Sequence, residues 1–232
     1  MSTSFFITGT DTDVGKTYVA AALIRGLRAR QLKVSGYKPV AAGAKWVNGQ
    51  LQNDDALNLM KEASQKFSYQ EVNPYCFEPA IAPHIAAEQM GVEVQESILR
   101  SVYAKHKLQS EVVIIEGAGG WKVPLNRTMG FDDLALSLGA PVILVVGLKL
   151  GCINHALLTE AAILAKGCQI VGWVGNDMNG NFEEIDANIT TLKEQMKSRC
   201  IGYFNYQSPK VSERPVDQRN VESLLDCLSD FR

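Results

Sequence analysis

The sequence predicts an α/β fold: a doubly wound, mostly parallel sheet with helices on both faces. Three observations carry that expectation. Short apolar and β-branched runs at 5–9, 111–116, 141–147 and 169–176 lack the polar alternation of a half-solvated strand and read as strands buried on both sides. Segments of helical spacing separate them, and a strand, helix, strand order gives parallel pairing through crossovers. The first run also leads through Gly9-Thr10-Asp11-Thr12-Asp13-Val14-Gly15-Lys16-Thr17 into a helix, the arrangement of a phosphate-binding loop.

In such a loop, backbone N–H groups and the helix start surround polyphosphate oxygens, and the helix dipole favours the anion. Lys16 then supplies a charge to the outer phosphates, and the Thr17 hydroxyl a ligand for Mg²⁺. The common spacing G-x-x-x-x-G-K-[ST] would place a glycine at Thr10, whereas here it stands one position earlier, at Gly9. The strand before the loop and the helical pattern after it (Tyr18, Ala21, Ala22, Ile24, Arg25, Leu27, Arg28) support the reading.

At 232 residues and 46% hydrophobic, the chain fits one large α/β domain over residues 1–232. Lys+Arg 23 against Asp+Glu 25 gives a net charge of -2 with no basic run, which disfavours nucleic acid as a partner. No basic leader precedes an apolar core, and no apolar run approaches the ~20 residues of a membrane span, so a soluble, cytoplasmic protein without membrane association is expected. Cys76, Cys152, Cys168, Cys200 and Cys227 are scattered without C-x-x-C spacing, as expected of reduced thiols. His84, His106 and His155 are too far apart for a local metal motif.

Residues 32–40 give a second strand with Lys38 near its carboxyl end. Ligands of open parallel sheets bind at that end, so Lys38 points to the side of the phosphate loop unless it merely snorkels over an apolar edge. Residues 46–50 form a turn excursion around Asn48-Gly49. Asp54 and Asp55 open a helix; each is either a cap or a carboxylate near a bound metal. The proline-rich stretch 64–91 reads as an irregular connection with a short helix at 85–90, and long irregular segments in compact domains are usually functional. A crossover helix follows at 94–108.

The strand 111–116 ends in Glu116, followed by Gly117-Ala118-Gly119-Gly120. Burying that carboxylate unpaired would cost several kcal/mol. A cation is therefore expected beside it, Mg²⁺ shared with Thr17 fits, and the alternative is a glutamate open to water. The glycines allow close backbone approach to a ligand. A helix begins near 131, the strand 141–147 follows, and Gly151-Cys152-Ile153-Asn154 opens a helix to 166 whose amino end can receive an anion. The strand 169–177 carries Asn176 at its tip, an amide able to read a nucleobase edge or to form a turn. A helix at 182–197, a strand at 200–204 and a closing helix at 216–228 complete the chain.

The loop, Lys38, the Asp54-Asp55 pair and Glu116 with its glycines converge on ATP-dependent chemistry. Phosphoryl transfer needs positioning and charge neutralisation more than covalent help, and two lysines with Mg²⁺ supply both. No Ser-His-Asp or Cys-His spacing marks a nucleophile relay. The residues alone leave the phosphoryl acceptor open.

The phosphate loop, Gly36-Tyr37-Lys38-Pro39-Val40, Asn73-Pro74-Tyr75, Ala82-Pro83-His84, Glu116-Gly117-Ala118-Gly119-Gly120-Trp121 and the stretch from Val145 to His155 together resemble the dethiobiotin synthetase family, in order from residue 5 to about 180. The resemblance implies a homodimeric P-loop NTPase-like fold that uses ATP and Mg²⁺ to convert 7,8-diaminopelargonate and CO₂ (or bicarbonate) to dethiobiotin through a carbamate and its carbamic-phosphoric anhydride. It implies catalytic roles for Lys16 and Lys38 and metal ligation by Thr17, Asp55 and Glu116, with Asp55 rather than Asp54 matching the family ligand. The implied nucleotide contacts are Asp13, Val14, Gly15, Lys16, Thr17, Tyr18, Asp55, Glu116, Gly117, Ala118, Gly119, Asn176 and Asp177. Substrate would meet Thr12, Lys38 and Ala42, with Gly151, Cys152, Ile153 and Asn154 of the partner subunit at its distal carboxylate.

Two departures stand out: Ala42 occupies a position where the family commonly has a hydroxyl, and Asn205 stands where a proline often borders the adenine. Two other readings are a paralogue acting on another substrate and a partitioning or regulatory ATPase switch. Such switches carry a second lysine early in the loop, and Thr10, Asp11 and Thr12 offer none.

Overall fold

The computed structural model describes residues 2–206 together with 225 and 226. In chain order the elements are β1 (Thr3–Gly9), α1 (Lys16–Ala29), β2 (Val34–Tyr37), β3 (Val40–Ala41), β4 (Lys45–Val47), β5 (Gln50–Gln52), α2 (Asp54–Glu62), α3 (Tyr69–Val72), β6 (Tyr75–Cys76), α4 (Pro83–Gln89), α5 (Glu96–Gln109), β7 (Val112–Glu116), α6 (Phe131–Leu138), β8 (Val142–Gly147), α7 (Cys152–Ala165), β9 (Ile170–Asn176), α8 (Ile185–Gln195) and β10 (Cys200–Phe204). Six strands form one parallel sheet in the order β10-β9-β8-β1-β7-β2. The doubly wound expectation holds, and the central sheet is parallel throughout.

The two-residue period of the strands divides the core. Phe6, Val113, Ile115 and Leu144 face a layer that takes Leu99 of α5, Leu134 of α6, Ile163 of α7 and Ile189 of α8. Phe5, Ile7, Ile114, Ile143 and Val145 face the layer of α1 and α2, represented by Val19, Leu23, Ile24 and Leu59. Both faces being covered, β1, β7 and β8 read as continuous apolar runs.

The predicted second strand is shorter in the structure. The chain leaves the sheet after Tyr37, because the Lys38 N–H donates to the Val72 carbonyl at 2.9 Å instead of continuing the ladder with β7. β3 then pairs with β6, which comes from the proline-rich connection. The Asn48-Gly49 excursion is a hairpin of β4 and β5, with positive φ at both turn residues (50° and 79°), as a two-residue hairpin turn demands. The predicted closing helix lies outside the described residues apart from Leu225, buried under α1, and Asp226, paired with Arg30. Among the described residues no helix is long and apolar enough to cross a membrane.

Candidate active site

The loop after β1 owes its shape to side chains packed beneath it. Val14 folds back against Gly9 and Gly147, where an added Cβ would come within 2.6 and 2.7 Å of its methyl groups. That contact explains the off-register glycine: Gly9 makes room for Val14. Asp13 and Gly15 adopt positive φ (56° and 88°), which turns the chain into α1. Lys16 arches back over the loop and donates to the Asp11 carbonyl at 2.8 Å. Burial, reinforced by Lys38, lowers its pKa to about 8 against the pull of Glu116, Asp55 and Asp13. Asp11 in turn pairs with Lys149 at 3.1 Å, tying the loop to the turn before α7.

Opposite the loop stands a buried charge cluster. Lys38 Nζ lies 2.8 Å from Glu116 Oε1, 2.9 Å from Asp55 Oδ2 and 3.0 Å from the Gly117 carbonyl, so its three donors are satisfied. Lys38 is 2% exposed, which excludes a snorkelling surface lysine, and Glu116 at 0% is not open to water. The cation expected beside Glu116 is thus present in the chain itself. Burial alone would push the Lys38 pKa down, but the two carboxylates hold it above the ordinary lysine value. Burial and the neighbouring Asp55 raise Glu116 despite Lys38. For Asp55, burial works upward, yet Lys38, Thr17 and Lys16 keep it below the usual carboxylate range.

Three elements bring these groups together. Glu116 ends β7 and Lys38 follows the end of β2, its neighbour in the sheet, so both side chains emerge at the same edge. Asp55 arrives on α2, which closes against β2 because residue 36 is glycine; a Cβ there would meet Leu59 Cβ at 2.6 Å. Neither predicted aspartate caps that helix. Asn53 does, accepting from the N–H groups of Asp55 and Ala56, which leaves Asp55 free to face Lys38 while Asp54 points out toward Lys45.

The Thr17 hydroxyl donates to Glu116 Oε1 at 2.7 Å, while Glu116 Oε2 is buried with no hydrogen-bond partner. An orphaned carboxylate oxygen beside a hydroxyl and a second carboxylate is an oxygen-only donor set, which fits Mg²⁺. Among the described residues, no three His, Cys, Asp or Glu side chains gather as a metal cluster of their own.

The charge cluster forms one wall of a cavity of about 930 Å³. Of the residues singled out in the sequence, Thr12, Asp13, Gly15, Lys16, Thr17, Tyr18, Lys38, Ala42, Asp55, Glu116, Ala118 and Gly119 line it. Val14 and Gly117 lie behind the lining: the Val14 side chain is buried, and Gly117 contributes its carbonyl to Lys38. Asn176 is fully buried beside the loop, donating to the Val14 carbonyl at 2.9 Å, with its Oδ1 unpartnered. Asp177 accepts from the N–H groups of Asn179 and Gly180 in a turn. The structure does not bring Gly151, Cys152, Ile153 and Asn154 to this cavity; they start α7 elsewhere, next to Leu150, whose side chain is 91% exposed.

The cavity also has an apolar wall made by Ala80, Ile81, Ala82 and Pro83, from the irregular connection expected to be functional, with Asn58, Val123 and Met178, which no motif marked, at other points. Asn58 carried a readable signal, since a residue three after Asp55 shares its helix face. Ala82 and Pro83 belong to one of the motifs that carry the family resemblance, whereas Ala80 and Ile81 carried no signal beyond their place in a long irregular connection.

A family model described as an AAA domain matches residues 3–214. The chain is 46% identical over 200 residues to the ATP-dependent dethiobiotin synthetase BioD of Pseudomonas paraeruginosa, covering 86% of this chain and 88% of that protein. It is 42% identical over 227 residues to the protein of the same name from Vibrio parahaemolyticus, covering 97% and 99%. Among solved structures, the MinC:MinD cell division protein complex of Aquifex aeolicus superposes with a TM-score of 0.63 at 14% identity, over 98% of this chain and 96% of that one. A ParA family ATPase from Chlorobium tepidum gives 0.59 at 10% identity, over 100% and 98%. At these identities the structural likeness concerns the fold alone.

Proposed function

The chain belongs to the ATP-dependent dethiobiotin synthetase family, and from that premise we propose how its residues divide the work. It is an ATP-dependent ligase of biotin biosynthesis. We assign the cavity to ATP together with 7,8-diaminopelargonate and CO₂, within a single ligase domain over residues 1–232. The observation that carries the assignment is the buried Lys38, fixed between two carboxylates directly across from the phosphate loop.

In this reading the loop backbone and Lys16 hold the triphosphate, while Thr17, Asp55 and Glu116 hold Mg²⁺. The metal, when bound, neutralises charge on the phosphates. One substrate amine attacks CO₂ and loses a proton to give a carbamate. A carbamate oxygen then attacks the γ-phosphorus and releases ADP, forming the mixed anhydride. The second amine attacks the carbamoyl carbon and gives up a proton to the departing phosphate or to water, phosphate leaves, and the ureido ring closes. Lys16 and Lys38 bring the two anions together and stabilise the charge that develops on the transferring phosphoryl group.

Thr12 and Ala42 border the diamine, and the apolar wall from Ala80 to Pro83 suits its alkyl chain. The unpartnered Asn176 Oδ1 suits the exocyclic amine of adenine, with Asp177 beside it. Gly151 to Asn154 stand away from their own cavity, which supports their serving the partner's site in a homodimer, at the distal carboxylate. The likeness to partitioning ATPases concerns fold only, and the loop lacks a second early lysine.

The test is phosphate release that depends on both diaminopelargonate and bicarbonate, with dethiobiotin identified by mass spectrometry. Lys38→Ala is expected to abolish turnover while nucleotide binding persists. Hydrolysis indifferent to the diamine, with no ureido product, overturns the assignment.

A further inference from the structure

Lys38 and Asp55 belong to segments without a shared ladder, one just past the end of a strand and the other in the first turn of a helix. Their 2.9 Å contact therefore needs something other than the sheet to set it. A buried chain of hydrogen bonds runs between their backbones. The Asn73 amide donates to the Lys38 carbonyl at 2.8 Å and to the Tyr75 carbonyl at 2.9 Å. Its Oδ1 accepts from the Tyr69 hydroxyl at 2.9 Å. That hydroxyl accepts from the Asn53 N–H at 2.7 Å, and Asn53 caps the helix that carries Asp55. Asn53 also donates to the Ala42 carbonyl at 3.3 Å, so the substrate loop hangs from the same chain.

Asn53, Tyr69 and Asn73 are 8%, 8% and 2% exposed, and none lines the cavity. The Tyr69 hydroxyl has its donor and both lone pairs in use, since it also sits 3.2 Å from Cys76 Sγ. The Asn73 amide has its two donors and its oxygen in use. A saturated buried network of this kind admits one arrangement, because any slip leaves a polar group unpaired in a dry interior.

We propose that Tyr69 and Asn73 are positioning residues that fix the Lys38 ammonium relative to Asp55, and so to the metal and the transferring phosphoryl group. The inference rests on the assignment of Lys38 and Asp55 to the reaction made above. A displacement of Lys38 by a fraction of an ångström to an ångström weakens stabilisation of the transition state, while the loop that holds the nucleotide stays as it is.

The test compares wild type, Tyr69→Phe, Asn73→Ala and the double variant in dethiobiotin formation, with active sites counted by nucleotide binding and folding followed by thermal melts. Each single variant is expected to lower kcat per nucleotide-binding site by roughly 10–100-fold with the KM for ATP near wild type, and the double variant to lose no more than the worse single one. Equal kcat per site in wild type and variants, or losses that multiply in the double variant, overturn the proposal; so does a fall in activity that only tracks the fraction folded. A wild-type protein that forms no dethiobiotin overturns the functional assignment and this inference with it. An active wild type with unaffected variants overturns the inference alone.

Discussion

The Lys38 ammonium lies 2.8 Å from Glu116 Oε1, with 2% and 0% of the two side chains exposed. The pair sits on neighbouring strand ends beneath the cavity, and each member makes the burial of the other tolerable. Breaking such a pair from one side is far more costly than replacing both sides, because the remaining charge stays buried.

Lys38→Met should therefore destabilise the protein in a pH-dependent way. Burial already raises the Glu116 pKa, and without Lys38 it rises further. A carboxylate whose folded pKa exceeds its unfolded value keeps its proton in the folded state, so stability is greatest below the unfolded value and is lost as pH rises through the folded one. The deficit against wild type is expected to be small near pH 5 and to reach about 3–5 kcal/mol near pH 8. Adding Glu116→Gln should remove the pH dependence. Melting curves across that range decide it, and a deficit equal at both ends would contradict the account.

Lys16 offers a second titration. With its pKa lowered to about 8, the lysine is partly neutral in the free protein above neutral pH, and bound phosphates favour its charged form. Nucleotide binding should take up a proton at alkaline pH, and affinity should fall as pH rises through about 8. Calorimetry of ADP binding in two buffers of different ionisation enthalpy measures the uptake. Lys16→Met should abolish it.

Gly15 and Asn176 are fitted to each other. A Cβ on residue 15 would lie 2.0 Å from Asn176 Nδ2, and its φ of +88° is strained for any side chain. Gly15→Ala should cost about 1–3 kcal/mol from the backbone alone, with the clash in addition. Asn176→Ala removes the clash but also the hydrogen bond to Val14. In urea denaturation the double variant is expected to be less destabilised than the two single costs summed. Strict additivity would show that the two residues do not press on each other.

Ala42 lines the cavity with only a methyl group, at a position where the family resemblance leads one to expect a hydroxyl. Ala42→Ser should lower the KM for diaminopelargonate by roughly three- to tenfold, the worth of one hydrogen bond, with the KM for ATP unchanged. Steady-state kinetics with each substrate varied in turn measures it. An unchanged diamine KM would place the substrate away from this side chain.

Much of this site is local and was legible as such. The phosphate loop is one short segment between a strand and a helix, and Lys16, Thr17 and the tight glycines follow from its order. Glu116 could be placed at a strand tip because four consecutive buried β-branched residues, Val112 to Ile115, precede it. The helix cap was open in the sequence, since Asn53, Asp54 and Asp55 are all good capping residues; the structure uses Asn53, which leaves Asp55 to the alternative reading as a site carboxylate. The second strand was read too long because the residue that ends it, Val72, lies far along the chain and captures the Lys38 N–H.

By itself the sequence determined the alternation of strands with crossover helices, the parallel sheet that follows from it and the loop chemistry, because periodicity and turn residues act over a few positions; the strand order came from the structure. Only the tertiary structure decided that Lys38 pairs with Glu116, 78 residues away, that Thr17 reaches the same carboxylate across 99, and that Asn73 and Tyr69 tie Lys38 to the helix of Asp55. Those contacts exist because two neighbouring strand ends and a close-packed helix exclude water around the same few atoms. No local pattern encodes which distant partners such a desolvated group will find.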